Sequence, residues 1–328
     1  MRVAILDDYA DTLRTLRCFS LLDGHDVTVF TDHCDDADEL AMRLAGTEAL
    51  VLIRERTALR AELLERLGDL RLVSLRSAFP HVDVETCTRL GIVVSSNLHS
   101  DTPSYAASEM TFALILAAAR RLPAQAASLR EGRWQTEVGR TLRGSTLGVL
   151  GYGRIGAVLA HYGTAFGMSV LAFGGAGSLE RAAADGIEAA RSQRDLFARA
   201  DVLTVHLRLV AATRGIVTRD DLSAMSRSST FVNASRAGLV APGALLAALR
   251  SGRPGFAAVD VFDDEPLFGR TDELATMGNV VATPHLGYVT TEEWELQFTD
   301  VFAQVASYAR GAPVNVVNPQ VLTSGARR

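Results

Sequence analysis

Short apolar runs rich in β-branched residues recur through the first hundred positions, at Val3 to Leu6, Asp26 to Phe30, Ala49 to Ile53, Leu72 to Leu75 and Ile92 to Val94. Stretches with helical spacing, among them Asp38 to Leu44 and Arg60 to Leu67, lie between them. Strand followed by helix, repeated, is the rhythm of a parallel α/β sheet and predicts a first α/β unit. Pro103 to Arg121 follows, with Ala106, Met110, Ala113, Leu114 and Ala117 on helical spacing, a helix long enough to bridge two domains that Pro123 is expected to stop. A second series then starts with a strand at Thr146 to Leu150 and a helix running through Phe166. It continues with strands at Ser169 to Phe173, Val202 to His206, Thr230 to Asn233, Ala257 to Val261 and Val280 to Ala282. Thr290 to Arg310 reads as a helix and Pro313 to Asn318 as an edge strand with a short tail, and no internal repeat or low-complexity linker interrupts the pattern. The fold class is therefore α/β, with two Rossmann-like or flavodoxin-like domains built on parallel sheets.

Between the Thr146 to Leu150 strand and its helix stands Gly151-Tyr152-Gly153-Arg154-Ile155-Gly156. In this strand-to-helix setting Gly151 permits a tight turn, Gly153 lets the backbone approach a pyrophosphate and Gly156 lets helix and strand pack closely, with the helix amino terminus facing the phosphates. NAD-selective turns of this kind usually place Asp or Glu at the end of the second strand; here that position is Gly174. A 2′-phosphate would meet no repulsion there and Ser178 or Arg181 would be near enough to contact it, so the cofactor is expected to be NAD(P), with NAD against NADP left open.

Composition narrows the chemistry further. A net charge of -5 over 328 residues shows no bias toward polyanions and argues against a nucleic-acid partner. All 33 basic residues are arginine, which removes Schiff-base chemistry on lysine, the P-loop lysine and amino-acid dehydrogenases that rely on a catalytic lysine. Cys18, Cys34 and Cys87 lie far apart, without the spacing of a zinc site or a disulfide framework, and are expected as three buried or half-buried free thiols. The amino terminus is too short and too soon acidic for a signal peptide, and the longest apolar run, Phe112 to Ala119, cannot span a bilayer. A cytoplasmic protein without membrane partners is expected.

Three further motifs follow the glycine turn in order: Asn233-Ala-Ser-Arg236-Ala-Gly238, Asp260-Val-Phe-Asp-Asp-Glu265-Pro266 and Thr283-Pro-His285-Leu-Gly287. With the glycine turn, they make the chain resemble the D-isomer-specific 2-hydroxyacid dehydrogenases over essentially its whole length. The resemblance implies a nicotinamide-dependent reductase of a small 2-oxo acid. A substrate domain would comprise residues 1–100 and 288–328, an NAD(P)-binding domain residues 101–287, and the active site would lie in the interdomain cleft. Arg236 would bind the substrate carboxylate and polarise its carbonyl, because a planar guanidinium grips oxygens bidentately. His285 would act as general acid and base, with Glu265 orienting its ring. Asp260 would contact the nicotinamide side of the cofactor and His206 would lie near the cofactor outside the proton path. A homodimer joined through the dinucleotide-binding domains, near the Pro103 to Arg121 helix, is also implied.

The substrate end departs from the family. The loop Ser74-Leu-Arg76-Ser77-Ala78-Phe79-Pro80-His81 lacks the expected glycine and includes a proline that has no amide to donate. Arg76, Ser77 and Ala78 are therefore candidates for an altered substrate cradle, with Arg76 either a second inward cation or a solvent-facing one, and Arg54 is the candidate for the substrate's distal end. His81 and His99 are placed at the rim. Ala237 replaces the glycine that commonly follows the catalytic arginine. Two other readings remain open at this level: a phosphite- or phosphonate-substrate dehydrogenase of the same fold, and a non-catalytic dinucleotide-sensing scaffold of the corepressor type.

Overall fold

The computed structural model describes residues 1–98 and 104–323, so Pro103, His99 and the final residues after Thr323 lie outside the described part. Its contacts divide the chain into two compact units, Met1–Pro103 with Thr290–Arg328, and Ser104–Val289. Among the described residues no helix is long and apolar enough to cross a membrane.

In the first unit, β1 (Arg2–Ile5), β2 (Asp26–Val29), β3 (Ala49–Val51), β4 (Leu72–Arg76) and β5 (Val93–Asn97) form a parallel sheet in the order β2-β1-β3-β4-β5. Such a sheet is covered on both faces, so its strands must be apolar on both sides. Ala49, Leu50 and Val51 accordingly have no exposed surface. Leu50, Leu63, Leu64, Val73, Leu75, Cys87 and Val94 share one core. The chain passes from β1 outward to β2 and back across to β3, which makes the carboxyl end of β1 and β3 a topological switch point.

Helix Thr291–Ala309 packs on this sheet through Trp294, Phe298, Val301, Phe302 and Val305, and Ser74 Oγ donates to the Val301 carbonyl at 2.8 Å. The predicted edge strand at 313–318 is reduced to an isolated antiparallel bridge between Ser95 and Val316. Asn315 takes φ 54°, which turns the backbone out of the extended region. The Asn318 side chain then extends the pairing past Val317, accepting from Val94 N and donating to Ile92 O, both at 2.9 Å.

In the second unit, β6 (Thr146–Leu150), β7 (Ser169–Phe173), β8 (Glu188–Ala189), β9 (Val202–Val205), β10 (Thr230–Asn233), β11 (Phe256–Val259) and β12 (Val280–Ala282) form a parallel sheet in the order β12-β11-β10-β9-β6-β7-β8. Successive strand residues enter cores on opposite faces: Val149 and Val202 join one cluster, Leu150 and Leu203 the other. The switch point here lies between β6 and β9.

Two helical expectations need correction. Helix Ala106–Arg120 buries Ser108, Thr111, Phe112, Ile115, Ala118 and Ala119 along with Leu114, whereas Ala113, assigned to the apolar face, is exposed. The larger side chains Phe112 and Ile115 determine which stripe faces inward, because they remove more apolar area from water. Pro123 does not end this helix. The chain leaves it at Arg121, in left-handed backbone at φ 56°, and Pro123 opens a new helix, Leu122–Arg130, from its first turn, where the missing N–H costs nothing.

Candidate functional site

The glycine turn follows β6 directly at the switch point of the second sheet. Gly151 has φ 98°, and a Cβ there would stand 2.7 Å from the His206 carbonyl oxygen, so glycine is required for both conformation and space. A Cβ on Gly156 would collide with the Gly151 carbonyl oxygen, whereas nothing lies within 4 Å of the Cβ position at Gly153. Gly153 caps helix Arg154–Ala165 without any side-chain bond, leaving its first-turn amides to an external acceptor. Tight backbone on two sides and open space at the third glycine fit a dinucleotide pyrophosphate.

The turn is held from the next helix, Ala176–Ala184. Tyr152 N donates to Ser178 Oγ at 2.6 Å and Arg181 Nε donates to Tyr152 O at 3.1 Å. The buried Tyr152 hydroxyl donates to Asp185 at 2.8 Å, and burial, with Asp185 adding to it, pushes its pKa up to about 12. Ser178 and Arg181 thus serve the turn itself, a use that the sequence pattern did not reveal. Gly174 has no room for a side chain without moving Ser178, whose Oγ would lie 2.7 Å from its Cβ. His206 follows β9, with Nε2 2.7 Å from Thr204 Oγ1; loss of hydration pushes it down to about 3, so its ring is neutral at physiological pH.

Arg236, Glu265 and His285 follow β10, β11 and β12, three adjacent strands, on the carboxyl edge that also carries the glycine turn. Asn233 shapes the Arg236 loop by donating from Nδ2 to the Arg236 carbonyl at 2.9 Å and accepting from Ser235 N at 3.1 Å. Glu265 accepts from Phe262 N at 2.7 Å through one oxygen and faces His285 Nδ1 at 2.6 Å through the other. A carboxylate at Nδ1 requires the proton on that nitrogen, which leaves Nε2 as the working atom of the ring. Tyr288 packs edge-on against the imidazole with centroids 5.3 Å apart.

His285 itself has φ 53°, an uncommon conformation for a side-chain-bearing residue. Asp260 compensates for it. This fully buried carboxylate accepts from Thr283 Oγ1 at 2.6 Å, Leu286 N at 2.8 Å and Gly287 N at 2.9 Å, gripping the histidine loop on both sides. Burial raises its pKa despite those donors. Nothing in the sequence linked Asp260 to residues more than twenty positions later; only the adjacency of β11 and β12 does so.

In the first unit, Arg54 follows β3 in left-handed backbone at φ 57°. Ser77 has φ 75°, a glycine-type backbone on a residue with a side chain, one position before Ala78, which stands where the family pattern has glycine. Its carbonyl accepts from Ser96 Oγ at 2.7 Å and its amide donates to Asn97 O at 3.1 Å, while the amides of exposed Ala78 and neighbouring Phe79 make no hydrogen bond among the described residues. Arg76 neither faces solvent nor stands as an uncompensated second cation: it is 8% exposed and its Nε lies 3.3 Å from Asp300 Oδ2. A buried guanidinium needs such a partner. His81 is buried next to this loop.

The thiols of Cys18 and Cys87 are buried and that of Cys34 half-buried, all unbridged; burial pushes Cys18 up to about 11 and Cys87 up to about 12. Among the described residues no group of three or more His, Cys, Asp or Glu side chains is placed to hold a metal ion.

Residues 112–287 match the family described as "D-isomer specific 2-hydroxyacid dehydrogenase, NAD binding domain". The chain is 35% identical over 285 residues to D-3-phosphoglycerate dehydrogenase of Methanocaldococcus jannaschii, covering 86% of this chain and 53% of that protein. Against the enzyme of the same name from Mycobacterium tuberculosis identity is 39% over 278 residues, covering 82% and 51%. The chain therefore spans about half the length of the curated relatives it matches. Among solved structures, a putative D-3-phosphoglycerate dehydrogenase oxidoreductase from Ralstonia solanacearum superposes with TM-score 0.93 at 45% identity, covering 99% of this chain and 98% of that one. A phosphoglycerate oxidoreductase from Vibrio cholerae gives 0.90 at 44%, covering 95% and 100%. A dinucleotide turn at one switch point and an arginine, a glutamate and a histidine on three neighbouring strands thus accompany similarity in sequence and in fold, and the chain belongs to the D-isomer-specific 2-hydroxyacid dehydrogenase family.

Proposed function

We propose that this protein interconverts a 2-oxo acid and its 2-hydroxy acid with a nicotinamide dinucleotide. The observation that carries the reading is the 2.6 Å pairing of His285 Nδ1 with Glu265, which leaves Nε2 as the one ring nitrogen able to exchange a proton with substrate. The dinucleotide, held by Gly151, Tyr152, Gly153, Arg154, Ile155 and Gly156, supplies the hydride. Arg236 binds the substrate carboxylate and polarises the carbonyl, and the amides of Ala78 and Phe79, beside the left-handed Ser77, are donors unpaired among the described residues and suited to an anionic group of the substrate. As the carbonyl carbon is reduced, its oxygen becomes an alkoxide and takes the proton from His285 Nε2, leaving the ring neutral; in the oxidative direction the same nitrogen accepts it. Glu265 stabilises the charged ring, and Asp260 keeps the histidine loop in position.

Arg54 is assigned to the distal end of the substrate. The relatives' names support a substrate with an anionic group there. The absence of a carboxylate at Gly174 supports use of NADPH as well as NADH. Exposed Leu122, Leu129, Trp134 and Val138, in the segment after helix Ala106–Arg120, support a homodimer.

The test is loss of reduced-nicotinamide absorbance, with NADH and NADPH separately, across glyoxylate, hydroxypyruvate, pyruvate, phenylpyruvate, oxaloacetate, phosphonopyruvate and 3-phosphohydroxypyruvate. Turnover of at least one is expected, abolished in His285→Ala. Tight dinucleotide binding without any turnover would sink the dehydrogenase reading in favour of a sensor.

A further inference from the structure

A second carboxylate–imidazole pair lies in the first unit, outside the residues assigned to hydride transfer. Asp7, just past β1, is 2% exposed and sits in left-handed backbone at φ 63°. Its Oδ1 faces His33 Nδ1 at 2.8 Å and is approached by the Tyr9 hydroxyl at 3.4 Å, while Oδ2 accepts from Thr57 Oγ1 at 2.5 Å. The Asp7 carbonyl accepts from Arg56 Nη1 at 2.5 Å, and Arg56 lies over the Tyr9 ring, 4.4 Å from its centroid. His33 Nε2 meets Asp35 Oδ1 at 2.8 Å. One buried carboxylate therefore ties together the loops after β1, β2 and β3.

The place matters more than the bonds. Asp7 grips two successive residues of the turn that starts with Arg54, and that turn flanks the switch point of the first sheet, where doubly wound sheets hold their ligands. A buried ion pair and a strained non-glycine residue are features that an apolar core does not need, and they concentrate where geometry must be held for function.

We propose that Asp7, His33 and Asp35 form a positioning relay that fixes the Arg54–Thr57 turn for the distal anionic group of the substrate and releases it when His33 loses its proton. The proposal rests on the assignment of Arg54 to the substrate's distal end made above. The charged groups acting on His33 are Asp7 from the loop after β1 and Asp35 and Asp32 from its own loop; Arg43 of helix Ala37–Arg43 pairs with Asp32 at 2.8 Å, and Arg56 from the loop after β3 holds the Asp7 carbonyl. Burial alone would pull His33 below its ordinary value of 6.5, but its bonds to Asp7 and Asp35 outweigh burial and raise it above that value. The protonated ring donates from both nitrogens, whereas the neutral ring has one hydrogen and must release one carboxylate. The relay is closed below the raised pKa and opens as pH rises through it.

The experiment measures KM and kcat from pH 6 to 9 for oxaloacetate, which has a distal carboxylate, and pyruvate, which has none, in wild type, His33→Gln and Asp35→Asn. Expected is an oxaloacetate KM that rises about fivefold with pH in wild type and a flat KM profile in both variants, while the pyruvate KM and the pH profile of kcat, which follows His285, are the same in all three proteins. Superimposable KM profiles in wild type and variants, or equal effects on both substrates, would overturn the relay. Amide chemical shifts of Arg56 and Thr57, followed through the same titration, provide a readout without turnover. They should move with the His33 ring signal in wild type and stay still in His33→Gln; if they move in both, the relay fails. Should no 2-oxo acid be reduced, the dehydrogenase reading falls while the shift titration still decides the relay.

Discussion

The two units each place a carboxylate–imidazole pair at the carboxyl edge of a parallel sheet, and the pairs differ in one respect that decides their chemistry. In the second unit the His285 side chain is 19% exposed and, among the described residues, bonds to one carboxylate, that of Glu265. In the first unit His33 is 8% exposed and meets two, Asp7 and Asp35, one at each ring nitrogen. A ring with one nitrogen held and one open can pass a proton to a substrate; a ring held at both can only clamp. Both pairs include a residue in left-handed backbone: His285, whose loop Asp260 holds on both sides, and Asp7, which is held through its own carbonyl and carboxylate. Residue type alone does not separate an acid–base pair from a structural one; the count of occupied nitrogens does.

The largest effect should come from emptying the open ring. His285→Ala is expected to lower kcat by roughly 10²- to 10⁴-fold, the usual worth of a positioned general acid, whereas the relay variants change KM and leave kcat in place; steady-state kinetics on both sets of proteins would show the contrast, and equal losses in kcat would erase it. Glu265→Gln comes next, with a fall in kcat on the order of 10²-fold, because an amide that turns its NH₂ toward Nδ1 favours the wrong tautomer. That loss should not be recovered by raising substrate concentration, which distinguishes it from a binding defect. Asp260→Asn should cost about 1–3 kcal/mol of stability, since an amide cannot accept at both oxygens and leaves a buried donor without a partner. Thermal unfolding reads the cost, and an unchanged midpoint would mean that the three bonds to the histidine loop contribute little. The smallest effect is expected from Ser178→Ala, about 1 kcal/mol from the lost acceptor for Tyr152 N, seen as weaker dinucleotide binding by calorimetry with little change in kcat.

Much of the fold was legible before any coordinates. A parallel strand covered on both faces must be apolar throughout, so short runs such as Ala49 to Val51 and Val202 to Val205 announce themselves, and a glycine turn between strand and helix identifies the dinucleotide edge. The order arginine, glutamate, histidine likewise marks candidate chemistry, because each lies in a motif next to a strand end. Local errors arose where tertiary packing overrides local pattern. Ala113 matched the helical spacing yet is exposed, because the larger Phe112 and Ile115 claim the inward face. Pro123 looked like a stop and is a start, because a proline at the first turn of a helix loses no hydrogen bond.

What the sequence determined by itself is what depends on neighbours along the chain: the alternation of strand and helix, the requirement for glycine at 151, the exclusion of lysine chemistry, and the residue types available at the ends of β10, β11 and β12. What only the tertiary structure decided depends on groups far apart in sequence meeting in space. Asp260 grips the His285 loop because β11 and β12 are adjacent; Arg76 is neutralised by Asp300 because the terminal helix returns to the first sheet; Asp7 meets both His33 and Thr57 because β2 and β3 flank β1. Hydrogen bonds act over about 3 Å and ask only where the partner stands, and the distance along the chain that separates two residues has no bearing on that.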